Sequence, residues 1–97
     1  MDEFGIRENV LDEIKHSAME CQVEKVILFG SRARGDYKTT SDIDLAVQGG
    51  NIVKFTLEME ETSTLLKFDV IDLNSSITQE LYQSIVEEGK TIYEKSR

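Results

Sequence analysis

The chain has no proline or tryptophan, one cysteine, one histidine, and fewer basic than acidic side chains; each shortage closes off a class of structure or function. Cys21 alone cannot form a disulfide within the chain, and with His16 it cannot complete a Cys/His zinc site. A lone thiol suits a reducing cytoplasm. Lys and Arg number 11 against 19 Asp and Glu, a net charge of −8, which argues against general binding along a nucleic-acid backbone. No apolar run approaches the ~20 residues that cross a bilayer, and the start MDEFGIREN is acidic where an export signal is basic. No low-complexity linker or internal repeat divides the sequence, so residues 1–97 read as one domain.

What remains is a regular alternation of elements. Ile6, Val10, Leu11, Ile14, Ala18 and Cys21 recur at helical spacing and predict an amphipathic helix. Val26 to Phe29 is a short apolar run ending at a glycine, which reads as a buried strand. A second strand is expected over Asp42 to Val47, a helix over Ile52 to Leu66, and a third strand over Phe68 to Leu73. Ser76 with Gln79 resembles a capping box that opens a helix carrying Ile77, Leu81 and Ile85, stopped by Gly89. Thr91 to Tyr93 reads as a short edge strand. The resulting order predicts an α/β (α+β) fold, a small mixed sheet with helices packed on one face and the other face open for chemistry.

The chemistry concentrates between Phe29 and Val47. Asp42 and Asp44 are one residue apart in an extended segment, so both carboxylates project to the same side. Held close together they repel and raise one another's pKa, which is why such pairs keep a hard divalent cation for company. Gly30 and Ser31 end the first strand where the chain enters a short helical turn. Free N–H groups at that point attract anions, and a glycine lets a phosphate approach the main chain. Arg32, Arg34 and Lys38 put three basic side chains within seven residues of an otherwise acidic chain, a concentration that suits a polyphosphate. The alternatives fail on particular residues. A Walker A loop needs Lys and Ser/Thr where Asp36 and Tyr37 stand, and a calcium loop needs ligands where Ala46 and Val53 stand.

Gly30-Ser31, ten intervening residues, then Asp42-x-Asp44 resembles the signature of the polymerase-beta-like nucleotidyltransferases. From Val23 to Tyr93 the chain is similar to the minimal, or MNT-domain, branch of that superfamily, found beside HEPN-domain partners in toxin–antitoxin modules. The resemblance implies a third carboxylate on a later strand, at Asp69. Asp72 is also near, but three residues along a strand reverses the face, so only one of the two can join Asp42 and Asp44. It further implies that two Mg²⁺ ions are held by Asp42, Asp44 and Asp69, with ATP as donor and phosphates received by Gly30 and Ser31, assisted by Arg32 and Arg34. The expected product is AMP on a hydroxyl of a HEPN toxin, a tyrosine above all, within a hetero-oligomer that makes this chain the antitoxin.

Two other functions fit the same residues. The chain could neutralise a toxin by covering it, or serve as the catalytic subunit of an aminoglycoside-type nucleotidyltransferase. An intact carboxylate cluster favours chemistry, because grouped like charges are costly to keep without use. His16 and Cys21 lie on different sides of the first helix and read as surface and packing residues, and Glu58, Glu60 and Glu61 as a solvated face.

Overall fold

The structure, a computed structural model, describes residues 3–96. A single 3₁₀ turn at Glu3–Gly5 leads into α1 (Glu8–Glu20), whose Val10, Leu11, Ile14 and Ala18 are buried along one stripe as their spacing requires. There follow β1 (Lys25–Phe29), the one-turn α2 (Ser31–Arg34), β2 (Ile43–Gln48), α3 (Ile52–Met59), β3 (Phe68–Asp72), α4 (Gln79–Glu88) and β4 (Lys90–Glu94). The strands form one sheet in the order β3, β2, β1, β4. β1 runs antiparallel to both of its neighbours, while β2 and β3 are parallel and joined by the α3 crossover. Parallel neighbours need such a crossover because a tight turn cannot reverse direction twice.

Alternation along the strands divides the interior into two layers. Val26, Leu28, Ile43, Leu45 and Val47 meet the stripe of α1 and Phe55 and Met59 of α3 in the main core. Phe55 is fully buried, and a side chain of that size contributes roughly 3 kcal/mol on leaving water. The residues between them point the other way. Phe29 and Ala46, with Ile27 and Ile71 beside them, pack against Ile85, Leu81 and Ile77 at α4. The expected mixed sheet is present, but the helices are not confined to one face. α4 covers the β1 side of the second face, where its apolar residues meet the alternate side chains of the strands. The uncovered part of that face lies toward Asp44 and β3.

The strand ends lie within a residue of the sequence reading, with β2 opening at Ile43 so that the expected first residue, Asp42, stands just outside it, while two helix ends differ for physical reasons. α3 stops at Met59 rather than Leu66, because short hydroxyl side chains compete for the backbone beyond it. Thr62 Oγ1 donates to Met59 O at 3.0 Å, Thr64 Oγ1 accepts from Leu66 N at 3.1 Å, and the Ser63 N–H turns to the Glu13 carboxylate. The cap of α4 is Thr78, whose hydroxyl accepts from Leu81 N at 3.1 Å, in place of Ser76. A cap of this kind is worth about 1 kcal/mol.

Candidate active site

β1 delivers the chain to Gly30, which sits at φ 75° and ψ −157°, a backbone region essentially reserved for glycine. A Cβ there would fall 2.2 Å from Asp44 Oδ2, so the glycine is required twice, by its dihedrals and by the carboxylate beside it. The N–H groups of Ala33 and Arg34 fold back on Gly30 O at 3.1 and 3.0 Å. Those of Ser31 and Arg32 come before the first intrahelical bond and stand at the start of α2, with the half-buried Ser31 hydroxyl next to them.

The carboxylates are placed by strand register. Asp44 lies opposite Phe29 of β1 on one side and Asp69 of β3 on the other. Parallel neighbours in register share a face, and adjacent strands are ~4.8 Å apart, so Asp44 and Asp69 stand side by side. Asp42 precedes β2 by one residue, at the mouth of the same strand. Asp72 pairs with Val47, whose side chain belongs to the main core, and its own carboxylate accepts from Asn74 N at 2.8 Å in a local turn. Of the two later aspartates, register therefore brings only Asp69 to Asp44. Asp42 and Asp69 are exposed and Asp44 is half-buried.

Burial holds the Asp44 carboxyl above its ordinary range, and the negative charges of Asp69 and then Asp42 push it further, against a partial offset from Arg34 and Arg32. Among the described residues no three His, Cys, Asp and Glu side chains converge as a finished metal cage. The donor set still fits Mg²⁺. The two carboxylates that register places on one face, Asp44 and Asp69, are hard oxygen donors beside a glycine that leaves room for phosphate, and Mg²⁺ is ordinarily held by one or two carboxylates together with substrate phosphates and water.

The arginines part company. Arg32 is 1% exposed and turns away from the phosphate-receiving turn into the protein. Its Nε and Nη2 donate to Ser41 O at 3.0 and 2.8 Å, Nη1 donates to Phe4 O and Gly5 O at 3.1 Å each, and Nη2 reaches Thr39 O at 3.2 Å. The assignment of Arg32 to phosphate binding is thereby corrected, since a guanidinium has five N–H donors and these are committed to the chain's own carbonyls. Arg34 is exposed. It pairs with Asp36 and with Glu88 of α4, each at 3.3 Å, contacts that cost little to exchange at a surface. Glu88 is a neighbour no local pattern reveals, 54 residues away in the sequence.

The two other chemically notable side chains stay outside the site. His16 is exposed and lies 2.9 Å from Glu20 one turn along α1. Cys21 is buried, its thiol raised above the ordinary cysteine range by burial and then by the Glu58 carboxylate, toward which Sγ donates at 3.9 Å. Both effects suppress the reactive thiolate. Alkylation of the native chain by iodoacetamide at pH 8, followed by mass spectrometry, is expected to run roughly 100-fold slower than in denaturant. Comparable rates in the two conditions would show that Cys21 is not shielded.

Comparison with known proteins bears on the same region. The chain is 33% identical over 81 residues, 74% of its length and 80% of the relative's, to the Methanocaldococcus jannaschii protein named "Putative protein adenylyltransferase MJ0604". A crystal structure of a toxin–antitoxin with AMP-PNP superposes with a TM-score of 0.70 at 25% identity, over 88% of this chain and 73% of that one. The toxin–antitoxin MntA–HpeT with a tyrosine-to-alanine substitution superposes with a TM-score of 0.65, also at 25% identity, over 93% and 74%. The family model for polymerase beta nucleotidyltransferases matches residues 12–97, which take in Gly30, Ser31 and all three aspartates. This chain belongs to the polymerase beta nucleotidyltransferase family.

Proposed function

We propose that the chain moves AMP from ATP onto a tyrosine hydroxyl of a HEPN-domain toxin and that this modification is how it acts as an antitoxin. The observation that carries the reading is the register of Asp44 with Asp69, directly beside the Gly30 turn. Asp42, Asp44 and Asp69 would hold two Mg²⁺ ions. The chemistry such ions supply when bound is charge, which offsets that of the triphosphate and of the attacking and leaving oxygens. The Ser31 hydroxyl and the first N–H groups of α2 hold the outer phosphates and fix the line of attack. Asp69, exposed on the third strand, takes the proton of the acceptor hydroxyl. A bond forms from the acceptor oxygen to the α-phosphorus, the bond to the bridging oxygen breaks, and pyrophosphate leaves.

The exposure of Asp42 and Asp69 supports an acceptor as large as a protein, since a folded partner can bring a side chain to an open shelf. The relative named as a protein adenylyltransferase and the toxin–antitoxin neighbour with AMP-PNP support the choice of AMP and of a protein acceptor.

The test is to incubate the chain with its toxin, Mg²⁺ and each common nucleoside triphosphate, then measure the mass of the toxin and map the modified residue. Adenylylated tyrosine is expected with ATP and none with Asp42→Asn. Full neutralisation of an unmodified toxin by Asp42→Asn would instead leave a protein that acts by covering its partner.

A further inference from the structure

Arg32 is the one polar or charged side chain in the buried set among the described residues, and what it binds is not arbitrary. Two of its donors converge on the same atom, Ser41 O, at 3.0 and 2.8 Å. That carbonyl belongs to the peptide unit joining Ser41 to Asp42. Further bonds reach Lys38 O and Thr39 O at 3.4 and 3.2 Å, so the guanidinium grips the whole approach to β2. Tyr37 closes over it with its ring centre 5.0 Å from the guanidinium carbon. On the far side of Asp42, strand pairing begins only at Ile43, whose N–H donates to Lys67 O at 2.8 Å. Asp42 thus has no ladder bond of its own and sits between the Arg32 clamp and the first rung of the sheet. The residue at the other end of the clamp follows Ser31 directly.

We propose that Arg32 is a positioning residue that sets Asp42 against the Ser31 turn, tying the metal-holding end of the site to its phosphate-receiving end. The inference rests on the nucleotidyltransferase reading above, in which Asp42 holds a divalent ion. A planar fork with five donors can lock a peptide plane and two neighbouring carbonyls at once, which an ammonium group at the same place cannot. A guanidinium that served only to satisfy these carbonyls would cost stability when replaced, but its effects would be indifferent to Asp42.

The test uses the full chain with AMP-PNP and Mn²⁺, free Mn²⁺ being read by electron paramagnetic resonance, with melting temperature in chelator recorded for every variant. Arg32→Lys is expected to weaken Mn²⁺ binding about tenfold, the scale of a lost outer-shell contact. In an Asp42→Asn background the same change is expected to have no more than about a twofold effect, because the residue through which Arg32 acts is gone. Equal losses in the two backgrounds, or no loss in either, would overturn the proposal and leave Arg32 a packing residue. Should Arg32→Lys not fold, Tyr37→Leu loosens the same guanidinium and enters the same cycle with the same criteria. Absence of any Mn²⁺ binding by the unmodified chain beyond that of the nucleotide would overturn the functional reading itself, and this inference with it.

Discussion

In the Asp44→Asn chain nucleotidyl transfer is expected to fall by on the order of 10³-fold, while the fold in chelator becomes as stable as the unmodified chain or more so. The first half follows from position. Asp44 is flanked in register by Asp69 and follows Asp42 by two residues, and in the proposed reaction loss of one charged ligand would remove about 4 kcal/mol of transition-state stabilisation. The second half follows from the raised titration of this group. Burial and the charges of Asp69 and Asp42 make the ionised form unfavourable in the folded chain, so the native state binds the Asp44 proton more tightly than the unfolded state does. Stability then declines as pH rises from the ordinary value of 3.8 through the raised one, and the penalty persists above it. Asparagine carries no such penalty. Melting temperatures of the two chains in EDTA should separate in favour of Asp44→Asn as pH is raised from 4 toward neutrality. A variant that is less stable at neutral pH, by a margin that does not change with pH, would mean that charge does not strain this site.

The local geometry of this region was legible in the sequence where it depends on neighbouring residues alone. The alternation from Ile43 onward states the strand that carries Asp44, although it opens one residue later than the expected Asp42, and Gly30-Ser31 at the end of an apolar run states the turn. Strand parity allowed only one of Asp69 and Asp72 to stand with Asp44, the family resemblance chose Asp69, and register supplies the reason, pairing Asp69 with Asp44 and Asp72 with Val47. Arg32 was misread for an instructive reason. Arginine near a glycine-rich turn reads equally well as an anion ligand or as a clamp on carbonyls, and only the path of the Lys38–Ser41 loop decides between them. The placement of α4 was similarly hidden. Its stripe of Ile77, Leu81 and Ile85 announces that one side is buried, but which sheet face receives it depends on contacts with Phe29 and Ala46 far away in the sequence. The early end of α3 reflects a contest between helix and hydroxyl-capped turns that apolar spacing does not register.

Gly30→Ala is expected to damage both the fold and the chemistry, and a neighbouring glycine provides the control. At φ 75° and ψ −157° an alanine carries roughly 1–3 kcal/mol of backbone strain, which for a domain of this size lowers the melting temperature by roughly 5–15 °C. The new methyl would also meet Asp44 Oδ2 at 2.2 Å and Cγ at 3.2 Å, so the carboxylate must turn away from Gly30. A displacement of ~1 Å at such a centre is worth about a hundredfold in rate. Gly35, which ends α2 at φ 98°, has nothing within 4 Å of its hypothetical Cβ, so Gly35→Ala suffers backbone strain alone. It should lose stability yet keep transfer within about tenfold of the unmodified chain once assayed well below its melting temperature. Circular dichroism melts and transfer rates on the two variants separate the effects. If Gly30→Ala and Gly35→Ala lose activity equally, the close approach of Gly30 to Asp44 plays no part in catalysis. The steric half can be isolated further in an Asp44→Ala background, which removes both Oδ2 and Cγ. There the stability cost of Gly30→Ala should shrink to the backbone strain that glycine alone escapes.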